Sequence, residues 1–153
     1  MVTKTVSGVD RRVCADCQRV HYIDPKIVVG VAVFRDDALL LVRRVMEPGR
    51  GRWCVPGGWV DTGQDPRDAA AREALEEAGV IIEVGAIVDA FLSRAQEGGA
   101  IFLLFEAKWI SGEPVAGDDA DGAGFFRRDA LPPMAGFESD AAVIARWPAP
   151  GRE

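Results

Sequence analysis

Residues 56–80 read Pro-Gly-Gly-Trp-Val-Asp-Thr-Gly-Gln-Asp-Pro-Arg-Asp-Ala-Ala-Ala-Arg-Glu-Ala-Leu-Glu-Glu-Ala-Gly-Val. The second half predicts a helix with both ends marked. Asp65 is a good N-cap, Pro66 suits the first helical position, and Gly79 suits the left-handed residue that stops a helix. The alanines and Leu75 supply helix propensity and an apolar side. The acids do not fit a plain surface helix. Glu73, Glu76 and Glu77 lie at i, i+3 and i+4, so their carboxylates converge on one side. They also fall in the last two turns, where the helix dipole disfavours negative charge. Each like-charged i,i+4 pair costs roughly 0.2–0.5 kcal/mol. A divalent cation held among them would reverse the sign of these penalties, and local rules broken together point to a site.

The glycine-rich half suggests what such a cation would serve. Pro56-Gly57-Gly58 and Gly63 allow a tight, strained backbone turn beside a ligand, and the loop feeds a helix start whose free N–H groups can meet anionic oxygen. Loop and acidic helix together suit phosphate bridged to metal. Taken alone, Arg72–Gly79 also reads as a solvated, Glu-rich helix, and it is the glycines at a fixed offset that favour a site.

This stretch resembles the Nudix box of the Nudix hydrolases, G-x5-E-x7-R-E-U-x-E-E-x-G-U, where U is a bulky apolar residue. Gly58 fills the first position, and Arg72, Glu73, Glu76, Glu77, Gly79 and Val80 fill the second half. Ala74 is small for the first U, and Gln64 stands where the pattern has glutamate. The resemblance covers residues 25–147. It implies an α+β fold, an α/β/α sandwich with a mixed β-sheet between helices, and Mg2+- or Mn2+-dependent hydrolysis of a nucleoside diphosphate linked to another group. It further implies Glu76 and Glu77 as the leading metal ligands, with Glu73 alongside and a backbone carbonyl near Gly57 or Gly58. Arg72 then orients a glutamate; an ordinary i,i+4 ion pair with Asp68 is compatible with that role. A later acid serves as ligand or base. Asp119 is chosen, with Asp118 and Asp121 close behind, and Glu138 is a further candidate that helix N-terminal charge explains equally well.

Carboxylate oxygens suit hard cations such as magnesium and manganese better than zinc. Gln64 keeps hydrogen-bonding capacity without the anion, so Gln64→Glu is expected to tighten the apparent magnesium constant. Arg44, Arg50 and Arg52 either meet substrate phosphates or are solvated. Trp59 either stacks on a base or belongs to the core.

The 153 residues suffice for one sizeable core. A net charge of −6 argues against a basic face for nucleic acid, while leaving room for a small nucleotide-type substrate beside bound cations. No apolar run approaches membrane-span length, and Met-Val-Thr-Lys-Thr carries no signal-peptide core, so a cytoplasmic protein without membrane contact is expected. A homodimer is in keeping with the resemblance.

Three cysteines make no disulfide framework. Cys54 reads as a buried small hydrophobe. Cys14-Ala-Asp-Cys17 forms a C-x2-C knuckle with His21 as a third candidate, so Zn2+ at Cys14 and Cys17 stands beside an unmetallated turn. The segment resembles the last half of the zinc ribbon that precedes some Nudix domains. The chain is thus divided at residue 24, with the knuckle segment 1–24 before a Nudix domain at 25–153.

Along the chain, residues 1–13 show no periodicity and are expected to be mobile. Ile27–Phe34 and Ala38–Arg44 predict a hairpin, Ile81–Arg94 a strand broken at Gly85, and Glu97–Gly99 a turn. Ala100–Ile110 predicts the returning strand, Ser111–Gly124 an acidic loop, Phe125–Phe126 a short strand and Glu138–Trp147 a closing helix ended by Pro148 and Pro150. Substrate marks help by absence: the Ser-Gln-Pro-Trp-Pro-Phe signature of NADH pyrophosphatases is missing, as is the proline beyond the box found in many ADP-ribose pyrophosphatases. ADP-ribose or a nucleoside diphosphate sugar is favoured, then a nucleoside triphosphate. The rival is a Nudix-like domain that senses a nucleotide without cleaving it; Gln64 favours it, and the intact Arg72, Glu73, Glu76 and Glu77 oppose it.

Overall fold

The computed structural model describes residues 1–93 and 99–148. Its centre is β4 (Lys26–Arg35), which turns through Asp36 into β5 (Ala38–Arg44). β4 lies parallel to β9 (Ala100–Ser111), β9 pairs antiparallel with β8 (Ile81–Ser93), and β10 (Ala120–Arg127) pairs antiparallel with β5. Two short strands, β6 (Trp53–Cys54) and β7 (Gly57–Trp59), add to β5 and β4. The result is one mixed seven-stranded sheet with the order β10-β5-β4-β9-β8.

The valine and leucine runs are near-continuous because both faces of the central strands are covered. Val29, Val31, Val33, Leu40 and Val42 pack with Ala69, Ala70, Ala74 and Ala78 of helix α1 (Pro66–Ala78). The alternate residues Ala32, Leu39 and Leu41 pack with Val143 of helix α2 (Glu138–Ala145). Each fully buried Val or Leu contributes roughly 1.5–3 kcal/mol, so a one-residue slip of β4 would forfeit both cores. This is the expected sandwich.

Helix α1 obeys its end signals. Asp65 Oδ1 accepts from Arg67 N at 2.8 Å, Pro66 is the first helical residue, and Gly79 closes the helix at φ 68°. Its buried side is alanine; Leu75 faces solvent, contrary to expectation. Small residues let the helix approach the sheet closely, and a leucine there would hold it off.

Other expectations are corrected. Residues 2–13 form a hairpin, β1 (Val2–Val6) and β2 (Val9–Val13), joined through Ser7 and Gly8 at φ 54° and 78°, and β3 (Val20–His21) completes a separate three-stranded sheet. The turn conformation, not hydrophobic periodicity, makes that hairpin. The acidic segment is shorter than expected, since β9 runs to Ser111 and β10 begins at Ala120. Helix α2 stops at Ala145 rather than Trp147. β8 shifts register between Val84 and Ile87, around the expected break at Gly85. Of the turn expected at Glu97–Gly99, only Gly99 is described, at φ 74°; its first two residues, and Pro150, lie outside the described residues. Among the described residues no helix is long and apolar enough to cross a membrane.

Candidate active site

The Pro56–Gly58 segment is not a strained turn. Gly58 pairs with Val29 and Gly57 with Gly30, in extended backbone, and the bond from Val31 N to Pro56 O at 3.0 Å continues the pairing. These glycines are required by close approach. A Cβ on Gly57 would collide with the Val29 carbonyl, and one on Gly58 with the Glu73 carboxylate. Of Gly57, Gly58 and Gly63, Gly63 alone has positive φ, at 80°. Helix α1 therefore presents its C-terminal half, not its N-terminus, to the glycines, and Asp65 already takes the Arg67 N–H there.

The loop before β10 is tied to the same helix end. Val115 N donates to Ala78 O at 3.0 Å and Gly117 N to Glu77 O at 3.2 Å, satisfying carbonyls the helix leaves open. This brings Asp118 and Asp119 to a cleft of about 390 Å³ that they share with Glu73, Glu76, Glu77, Asp61 and the backbone of Gly57–Gly58. Six carboxylates line it against two guanidiniums, Arg44 and Arg72.

Arg72 is spent on the acids. Its Nη1 lies 2.9 Å from Glu73 Oε1 and 2.8 Å from Glu76 Oε2, and its Nη2 donates to Trp59 O at 3.1 Å. The ion pair with Asp68 is not formed; the two neighbouring glutamates displace it. Burial raises the Glu73 carboxyl above its ordinary value, with Glu76 and Asp118 adding to the rise and Arg72 opposing it. Burial pushes Glu77 up to about 7, against a hydrogen bond from Gly57 N at 3.0 Å.

As placed, no group of three or more His, Cys, Asp or Glu side chains among the described residues is set to hold a metal ion, because Arg72 and Gly57 hold these carboxylates. The chemistry of the cleft nonetheless fits a hard cation. Its donors are oxygens, its acids outnumber its bases, and Gly58 leaves open the space a Cβ would fill beside Glu73. The Cys14–Cys17 turn does not fit zinc in the same way, since it gathers two sulfurs and no third ligand among the described residues.

The structure sorts the remaining candidates. Arg44 and Trp59 line the cleft; Trp59 is 41% exposed, outside the core, with Lys26 Nζ 5.0 Å from its ring. Arg50 and Arg52 are exposed and do not line it, and Arg52 Nη1 points to Met134 O. Asp121 pairs with Arg43 at 2.7 Å. Gln64 turns back on its own loop, its Oε1 accepting from Asp61 N at 3.2 Å, and is absent from the cleft lining. Cys54 is buried, and burial pushes its thiol up to about 12. Sequence reasoning missed Asp61, Met46 and Val28, which line the cleft, and Phe137, which stacks on Arg44. Only the Phe137-x-x-Asp140 spacing at a helix start could have drawn attention to the last.

A NUDIX-domain family model matches residues 24–147. An ADP-ribose pyrophosphatase of Methanocaldococcus jannaschii is 35% identical over 130 residues, 82% of this chain and 76% of that protein. The Bacillus subtilis protein YjhB is 32% identical over 118 residues, 74% of this chain and 55% of its own length. A crystal structure of a NUDIX hydrolase from Nitrosomonas europaea superposes with a TM-score of 0.84 at 24% identity, covering 94% of this chain and 82% of that one.

Proposed function

The chain belongs to the Nudix hydrolase family and is a pyrophosphohydrolase, and from that premise we propose that it splits the diphosphate of ADP-ribose or a similar nucleoside diphosphate sugar. The observation that carries the reading is the excess of carboxylates gathered where α1, the Gly57–Gly58 strand and the Asp118–Asp119 loop meet. The substrate class is supported by the archaeal relative, named as an ADP-ribose pyrophosphatase.

In this reading Glu73, Glu76, Glu77 and the Gly58 carbonyl would hold magnesium or manganese, which would supply charge neutralisation on the phosphate oxygens and help to activate the attacking water. Arg72 keeps Glu73 and Glu76 in place through its two short contacts. Asp119, on the loop docked to the end of α1, accepts a proton from the attacking water. One phosphorus–oxygen bond forms, the bridging bond breaks, and two monophosphates leave. Arg44, Nε-bonded to Pro48 O at 2.6 Å, keeps its outer nitrogens for the phosphate that departs.

The test is monophosphate release with magnesium over ADP-ribose, a nucleoside diphosphate sugar, NADH and the nucleoside triphosphates. Turnover of the first two above the others supports the reading. Preference for triphosphates would overturn the substrate class, and activity left intact by Glu76→Gln would overturn the metal assignment.

A further inference from the structure

Beside the acidic cleft lies a second hollow of about 920 Å³, and the two share Val28, Arg44 and Trp59. The character changes across that boundary. Phe91 of β8 and Phe102 of β9 stack face to face in its wall, with ring centroids 5.0 Å apart and planes 7° from parallel. Phe137 also lines it, with the Arg44 guanidinium 5.1 Å from its ring. Among the described residues, the acid in the lining is Glu138, which is exposed.

Phe137 is held in place from below. Asp140 is buried at the start of α2, and its Oδ2 accepts from Phe137 N at 3.0 Å. The segment before it is stitched to β6, Trp53 N donating to Pro133 O at 2.9 Å and Ala135 N to Trp53 O at 2.7 Å. Gly49 fits under the pair, since a Cβ there would press on Ala135, Arg44 and Phe137 at 3.1–3.4 Å.

We propose that Phe137 is a specificity-determining residue, which walls a hollow built for a flat, uncharged heteroaromatic base and fixes Arg44 at the join between base and phosphate. The inference rests on the diphosphate being cleaved in the acidic cleft. Aromatic faces stack on a base whatever its hydrogen-bonding edge, and a carboxylate in the lining repels a second phosphorylated group. A compound with the base in this hollow and its diphosphate past Arg44 satisfies both halves. A polyphosphorylated sugar does not, because its far phosphates would face Glu138 and phenylalanine rings.

The test is calorimetric titration of the full chain with AMP and with ribose 5-phosphate, in magnesium, for the wild type, Phe137→Leu and Glu76→Gln. Stacking is worth roughly 5- to 150-fold in affinity. The wild type is expected to prefer AMP by about ten-fold or more, with Phe137→Leu reducing that ratio at least three-fold and Glu76→Gln preserving it. A merely structural role for Phe137 would weaken both ligands equally and leave the ratio intact, which overturns the proposal. Equal binding of the two ligands by the wild type overturns it too, and does so even where metal-dependent turnover is normal. Conversely, absent turnover with the AMP preference kept would sink the hydrolytic reading and leave the base site standing.

Discussion

Glu77 Oε2 accepts a hydrogen bond from the Gly57 amide at 3.0 Å, and this bond joins the acidic end of α1 to the strand that floors the cleft. It does not offset burial, which leaves the carboxyl at about 7 against an ordinary 4.5. A raised acid binds its proton more tightly in the fold than in the unfolded chain. Stability from this group is therefore full below about pH 4.5, falls as pH rises to about 7, and is flat above. The loss is on the order of 3 kcal/mol in metal-free protein, or roughly 5–10 °C in Tm. Melting in chelator from pH 5 to 8 checks it: the wild type should lose stability relative to Glu77→Gln, and magnesium at pH 8 should restore it.

The same variant separates stability from activity. Glu77→Gln removes a buried charge and should raise the metal-free Tm at pH 8, while lowering kcat by roughly 100-fold or more. Paired melting curves and monophosphate release decide it. A variant that is both less stable and fully active would reverse the reading of the helix.

Gly58→Ala places a methyl group against the Glu73 carboxylate. The strand pairing of Gly58 with Val29 leaves no room for the backbone to retreat. Magnesium affinity should fall about ten-fold or more by titration, while circular dichroism stays native. An unchanged magnesium constant would place the cation away from Glu73.

Gln64→Glu should leave the apparent magnesium constant within about two-fold, because Gln64 is engaged with Asp61 N and does not line the cleft. This differs from the expectation drawn from the motif, where the position carries an acid. Tightening beyond that range in a magnesium titration would mean that the 61–64 loop opens toward the metal.

Asp119→Asn should lower kcat by roughly 100- to 1,000-fold, with the magnesium constant little changed. Asp118→Asn, from the same loop, is the comparison. If Asp118→Asn produces the larger fall, the proton acceptor is the neighbouring residue.

What the sequence disclosed depended on whether the cause was local. Asp65, Pro66 and Gly79 bound α1 because caps are properties of a few adjacent residues. The runs Ile27–Phe34 and Ala38–Arg44 announced β4 and β5 by composition, and Glu73, Glu76 and Glu77 announced the acidic wall by spacing. Gly57 and Gly58 were legible as special but for the wrong reason, since their need for no side chain comes from Val29 and Glu73, distant in sequence. The β1–β2 hairpin stayed hidden because its turn places Ser7, not only a glycine, at positive φ, and its strands are mostly exposed. Phe137 stayed hidden because its meaning arises only when Asp140, Arg44 and Gly49 converge on it.

The stitching of Pro133 and Ala135 to Trp53 has one more consequence. In the proposed reading, the acids assigned to bond cleavage are fixed by α1 and its docking loop, whereas the ring assigned to the organic half of the substrate hangs from a short connector leading into α2. Reaction and preference are thus written on different pieces of backbone. Descendants of this fold can exchange one connector for another and adopt new compounds while the reaction centre is inherited untouched.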